Sequence, residues 1–118
     1  MISLAERRSQ LIKLLDALVG LIGILDNDPN CQWLRHFRSC HSEGQRLLED
    51  FSQEDLNVLS ARVNSVYGGM GSFNDYVPPG RESKGRHIID PNFRKLSKFS
   101  GLVYECAFKL RVVGERDA

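Results

Sequence analysis

Apolar residues recur along this chain in steps of three, four and seven, the spacing that lays side chains along one face of a helix. Leu4, Leu11, Leu15, Leu18, Ile22 and Leu25 form a first stripe, which Ile12 and Val19 widen. The stretch "SLAE" at Ser3 to Glu6 precedes it in capping-box form, a hydroxyl to accept an early backbone N–H and a carboxylate three residues on to reach back. A first helix ending near Asp26 is predicted. Gly20 and Gly23 lie inside it. Each costs about 1 kcal/mol against alanine, so close helix contact or a frayed last turn is expected there.

Asp28 and Pro29 then offer a cap and a first helical position, and Trp33, Phe37, Cys40, Gly44, Leu47 and Phe51 continue in steps of four and three. They predict a second helix from about Pro29 to Asp50, with Gly44 marking a close approach or a kink. Ser52 opens a third helix, with Glu54 and Asp55 at the positive end of its dipole and Leu56, Leu59, Val63, Val66 and Tyr67 on its buried face. "DPNF" at Asp90 repeats the Asp-Pro start, and Phe93, Leu96, Phe99, Val103, Cys106 and Leu110 supply a last stripe. The resulting expectation is a mainly all-α, antiparallel bundle of about four helices in a single domain spanning residues 1–118.

Between the third and fourth stripes the pattern breaks. "SVYGGMGSFNDYVPPG", Ser65 to Gly80, carries four glycines. Gly68 or Gly69 in the left-handed conformation would terminate the third helix, and Gly71 would let the chain reverse again. Met70 and Phe73 are expected to turn inward as apolar plugs, with Asn74 or Asp75 bracing the turn by accepting backbone N–H bonds. Beyond it lies the turn-rich "PPGRESKGR". Tyr76-Val77 on one side and His87-Ile88-Ile89 on the other are expected to pair as a short hairpin before the last helix.

Composition adds bounds rather than a function. At 118 residues, 42% hydrophobic and 26% charged, the chain is of ordinary globular make-up. A formal net charge of +1 gives no bulk electrostatic reason to bind nucleic acid or an anionic membrane. Charge is nevertheless uneven: residues 1–60 carry six Lys/Arg against nine Asp/Glu, and residues 61–118 carry ten against six. The longest apolar run, Ala17 to Leu25, is about half the length a bilayer requires. Glu6, Arg7 and Arg8 interrupt any signal-peptide layout, and three unpatterned cysteines suit free thiols, so a cytoplasmic location is expected.

Several constellations resemble chemistry without meeting its requirements. Cys31, His36, Cys40 and His41 are the only cluster of soft ligands, but structural zinc sites pair cysteines two to four residues apart, and Cys40 already falls on an apolar stripe. Ser72, Asp75 and His87 supply the residue types of a hydrolytic triad, but a nucleophile elbow needs glycines on both sides of the serine at the proper spacing in a strand-to-helix turn, and this string is "GMGSFND" after a helix. A phosphate loop needs Gly-Lys-Ser/Thr, and a dinucleotide fingerprint needs a preceding strand; neither is present. No catalytic residue, metal or cofactor is assigned. The charge runs suggest protein partners instead: Glu49, Asp50, Glu54 and Asp55 around one helix junction, and Arg81, Lys84 and Arg86 in the long connection.

The stretch "VYGGMGSFNDYV", Val66 to Val77, with "DPNFRKL" at Asp90 to Leu96 beyond it, resembles the signature of a family of small bacterial proteins of uncharacterised function. The resemblance covers roughly the second half of the chain. It identifies kin rather than a reaction and associates the chain with immunity proteins of toxin systems. The structural or recognition role expected of Gly68, Gly69, Met70, Gly71, Ser72, Phe73, Asn74 and Asp75 follows from the helix stop, plugs and brace. The leading expectation is a non-enzymatic, cytoplasmic immunity protein that occludes a cognate toxin through the acidic junction and the loop from Met70 to Arg86. Two alternatives stand beside it. One is a small enzyme or ligand-binding protein whose pocket gathers Ser72, Asn74, Asp75 and His87 under the glycine loop; the other is a regulatory or structural homo-oligomer.

Overall fold

The computed structural model describes residues 3–111. Among them the chain forms α1 (Leu4–Leu25), α2 (Leu34–Leu47), α3 (Gln53–Asn64) and α4 (Leu96–Lys109), with strands β1 (Gly80–Ser83) and β2 (Arg86–Ile89) before the last helix. The fold is mainly α, as the periodicity predicted, and a short hairpin precedes the last helix, as expected.

Each helix packs on two neighbours, α1 on α2 and α4, and α3 on the same pair, so α1 and α3 are diagonal in a four-membered ring. Side-chain bonds fix the antiparallel sense. Arg7 at the start of α1 donates to the Lys109 carbonyl at the end of α4 at 3.1 Å. Gln53 at the start of α3 donates to the Leu110 carbonyl at 2.8 Å. Arg8 donates to the Leu48 carbonyl just after α2. Arg7 is 5% exposed, so its cation serves the Lys109 carbonyl at the negative end of α4, with the Gln10 side-chain oxygen as a second acceptor at 2.9 Å.

The core is aliphatic at the centre and aromatic at one end. Leu11, Leu14, Leu18, Leu21 and Leu25 of α1 are fully buried, meeting Phe37, Leu56, Leu59, Val63, Val103 and Leu110. Leu4, Ile12 and Val19, assigned to the first stripe by spacing, are exposed. On α1 the burial continues instead to Leu14, Ala17 and Leu21, because the helix faces partners on that flank and solvent on the other. Within the helices two glycines mark close approach. A Cβ on Gly20 would lie 2.3 Å from Phe99 Cε1, and one on Gly44 would lie 2.6 Å from Leu15 Cδ2.

Capping explains some boundaries and corrects others. Ser3 accepts the Glu6 N–H before α1, and Ser52 forms a complete capping box with Asp55 before α3. The Asp-Pro starts do not open long helices. Asp28 accepts from Asn30 N–H in a turn, and α2 begins only after Trp33. Asp90 likewise accepts from Asn92 N–H and caps the short 3₁₀ turn Pro91–Phe93, and α4 begins after Lys95. The short aspartate side chain satisfies a donor two residues on, which favours a local turn over the N-terminus of a long helix.

The hairpin is antiparallel, with Gly80 opposite Ile89, Arg81 opposite Ile88, Glu82 opposite His87 and Ser83 opposite Arg86. Lys84 (φ 54°) and Gly85 (φ 75°) have the two positive φ values of a tight two-residue hairpin turn. The first strand is therefore Gly80–Ser83, not Tyr76-Val77: the turn sits at Lys84-Gly85, and register counts outward from it. Most residues of both strands are exposed, and the strands contact each other far more than they contact the helices. The hairpin is an arm standing off the bundle.

Candidate functional site

The glycine segment closes the aromatic end of the core. Helix α3 stops at Ser65, whose hydroxyl donates to the Arg62 carbonyl at 2.8 Å. Gly68 and Gly69 take no part in a left-handed stop, since Gly71 (φ 82°) is the positive-φ residue of this loop. Phe73 N–H donates to the Val66 carbonyl at 2.8 Å, pinning the loop to its own origin. Ser72 accepts from Asn74 N–H and Asp75 from Gly71 N–H, so the expected brace forms through Asp75. Phe73 is the inward plug: its ring centroid lies 5.0 Å from Phe37, 5.7 Å from Tyr67 and 5.9 Å from Tyr76. Met70 is no plug. It is 99% exposed, because the reversal at Gly71 carries it to the outside of the loop.

Beside the loop runs a groove of about 670 Å³. One wall is the glycine segment with Tyr67, Gly68, Phe73, Asn74 and Tyr76; the other is α4 with Ser97, Ser100, Gly101 and Tyr104. Tyr67 donates its hydroxyl hydrogen to the Ser100 carbonyl at 2.8 Å, tying the walls together. Burial pushes that phenol up to about 12. Tyr76 donates to Asp28 at 2.7 Å, and desolvation, then its bond to Asp28, raises its pKa strongly. The Asn74 side chain makes no hydrogen bond among the described residues. The groove is thus aromatic and neutral, with one uncommitted carboxamide.

Of the four polar groups expected under the loop, only Asn74 lines this groove. Ser72 and Asp75 are engaged with their own loop, and the His87 ring lies 2.9 Å from the Pro78 carbonyl and 3.7 Å from Glu82. The triad residue types are thus held by different local partners. At the other cluster, the Cys40 sulfur lies 3.6 Å from His36 Nε2. Burial pushes the Cys40 thiol up to about 11 and holds His36 below its ordinary value, which leaves both neutral at pH 7. Among the described residues no three His, Cys, Asp or Glu side chains converge as a metal site.

The two charge runs lie far apart. Glu49, Asp50, Glu54 and Asp55 flank the link from α2 to α3, at the end where α1 begins and α4 ends. Arg81, Lys84 and Arg86 belong to the arm, reached from the other end of α3. The 12 residues of α3 separate them, a length of about 18 Å. Strand alternation puts Arg81, Ser83, Arg86 and Ile88 on one side of the arm and Glu82, His87 and Ile89 on the other. His87 reaches Pro78 from the second side, which leaves the two arginines on the side away from that contact.

Sequence reasoning passed over Tyr67, Gly101 and Tyr104 as site residues. A visible trace existed: Ser97, Gly101, Tyr104 and Phe108 step by four, three and four beside the core stripe of α4. That second stripe forms one wall of the groove and an aromatic ridge, with Tyr67 and Tyr104 centroids 5.2 Å apart and Tyr104 and Phe108 6.4 Å apart.

Fold and site together define a small helical-bundle protein with an aromatic groove and a basic hairpin arm at one end. The chain belongs to the family described as a domain of unknown function, DUF6966, whose pattern matches residues 26–84. The match takes in α2, α3, the glycine segment and β1, and it ends before Asp90–Leu96. No curated protein and no solved structure matches the chain. Among the described residues no helix is long and apolar enough to cross a membrane.

Proposed function

We propose that this is a non-enzymatic protein-binding protein that engages an acidic partner through its arm-bearing end. One observation carries the reading: a two-stranded arm stands off the bundle with Arg81 and Arg86 on one side, and no carboxylate of the arm shares that side. Like charges at diagonal positions repel, and a partner's carboxylates relieve that repulsion. The titrating groups near the groove support a binding role over acid–base chemistry, since Tyr67 is pushed up to about 12 and Tyr76 is raised as well.

The finer form of the proposal is a cytoplasmic bacterial immunity protein that neutralises a cognate toxin by occlusion. Its support is the resemblance of Val66–Val77 and the rigid frame that stoichiometric inhibition requires. The acidic junction at Glu49–Asp55 then lies outside the principal contact, because the arm is at the other end. Growth of a bacterial host expressing the product of the adjacent gene tests this. The proposal expects growth arrest, rescue by this protein, and loss of rescue in Arg81→Glu/Arg86→Glu at unchanged Tm. An adjacent product that is harmless, or rescue that survives the double reversal, overturns it.

A small-ligand reading draws on one observation, the groove itself. It is weakened by the dispersal of Ser72, Asp75 and His87, which leaves Asn74 as the only one of its four proposed polar groups in the lining.

A further inference from the structure

We propose that the groove between the glycine segment and α4 seats an uncharged aromatic side chain projected from an acidic segment of a protein partner. The inference rests on the partner-binding reading above and adds the anchor to it.

The argument begins with glycine. Gly20, Gly44 and Gly80 have no room for a Cβ, and Gly71 and Gly85 have positive φ. Gly68 and Gly101 have neither reason: their φ is ordinary, and a Cβ on either would meet nothing within 4 Å. Gly23 and Gly69 share that freedom but do not line the groove. Gly101 lies well inside α4, where glycine costs about 0.5–1 kcal/mol relative to alanine. Internal packing gives it no justification. Gly68 and Gly101 stand on opposite walls of one groove, and their missing side chains keep it wide.

The lining then selects the occupant. Tyr67, Phe73, Tyr76 and Tyr104 supply aromatic surface, and among the described residues no charged one lines the space, so the inserted group is uncharged and apolar. Both inner phenols are already committed to Ser100 and Asp28, which makes the walls rigid. The free Asn74 carboxamide offers one donor edge and one acceptor, the complement of a main-chain amide beside the anchor. Between the two walls the chain runs out into the arm and back, carrying Arg81, Lys84, Arg86, Arg94 and Lys95 against Glu82 and Asp90. A partner segment that runs on from the anchor along the arm meets these cations in excess, so its flanks there are acidic.

Nuclear magnetic resonance of the ¹⁵N-labelled full chain tests this with three probes. They are N-acetyltryptophanamide, a capped peptide with one tryptophan between paired aspartates, and oligothymidylate. Both tryptophan probes are expected to shift the Gly68 and Gly101 backbone amides and the Asn74 side-chain amide, the acidic peptide binding at least tenfold more tightly. Gly101→Leu fills the groove in a helix that favours leucine over glycine. It is expected to keep or raise Tm and to weaken both probes at least tenfold, with Gly101→Ala intermediate. Arg81→Glu/Arg86→Glu is expected to weaken the acidic peptide alone. Unshifted groove amides at saturating probe, or unchanged binding in a folded Gly101→Leu, overturns the proposal. Peptide shifts confined to the arm overturn the anchor while leaving the partner-binding reading standing. Oligothymidylate binding in the groove more tightly than the peptide overturns the choice of a protein partner.

Discussion

Phe73 and Met70 stand three residues apart in the same glycine segment, and their truncation separates anchor from ornament. Phe73 is 4% exposed and touches four aromatic rings, with Trp33 at 6.1 Å completing the set. Removing a buried phenyl ring to leave alanine costs about 3–5 kcal/mol in transfer and cavity terms. Edge-to-face pairs add about 0.5–1.5 kcal/mol each beyond area, so the upper part of that range is expected. Neighbouring rings are tied to other elements, Tyr67 to Ser100 and Tyr76 to Asp28, and cannot collapse freely into the hole. Against a total stability of about 5–15 kcal/mol, such a loss is a large fraction of the fold. With a urea m-value of about 1–3 kcal/mol/M, a loss of about 4 kcal/mol lowers the midpoint by roughly 1.3–4 M. Met70→Ala, made at a fully solvated side chain, is expected to change stability by less than about 0.5 kcal/mol. Urea titration followed by circular dichroism at 222 nm measures both. A Phe73→Ala cost below about 1 kcal/mol, or a Met70→Ala cost equal to it, refutes the assignment of Phe73 as the residue that pins this loop to the core.

The two α1 glycines make a second pair of opposite sign. Gly20→Ala meets Phe99 at 2.3 Å and is expected to lower stability by about 1–3 kcal/mol, whereas Gly23→Ala, with nothing within 4 Å, is expected to raise it by about 0.5–1 kcal/mol. Arg7→Met deletes the donor to the Lys109 carbonyl from a buried site, and thermal unfolding is expected to report a loss of about 1–3 kcal/mol. His36 is held below its ordinary value of 6.5, chiefly by desolvation, so the unfolded chain binds its proton more readily than the folded one. Its contribution is full above pH 6.5 and falls as the pH drops below that value; the urea midpoint is expected to decline on acidification, less steeply in His36→Gln. Equal slopes in the two proteins would contradict that assignment.

Much of the architecture was legible before any coordinates. Four stripes of 3.6-residue periodicity specified four helices, and Ser3 and Ser52 set two of their starts, because capping is chemistry between residues three apart. Gly71, Phe73 and Asp75 were placed correctly for the same reason: positive φ, an apolar side chain among glycines and an acceptor at a turn are local demands. Errors arose where two local solutions compete. Asp28 and Asp90 cap turns instead of long helices, and the hairpin register followed Lys84-Gly85, a pair whose positive φ was not anticipated.

The sequence alone determined helix number, the arm's existence and the identity of most core residues, since amphipathic spacing and turn chemistry act over a few positions. Only the tertiary structure decided which flank of α1 is buried, that Met70 points outward, that the acidic junction and the basic arm occupy opposite ends, and that Gly68 and Gly101 face each other across a groove. Those facts depend on the order in which helices pack round the ring. Packing order is set by the summed fit of surfaces far apart in the chain, and no window of neighbouring residues contains it.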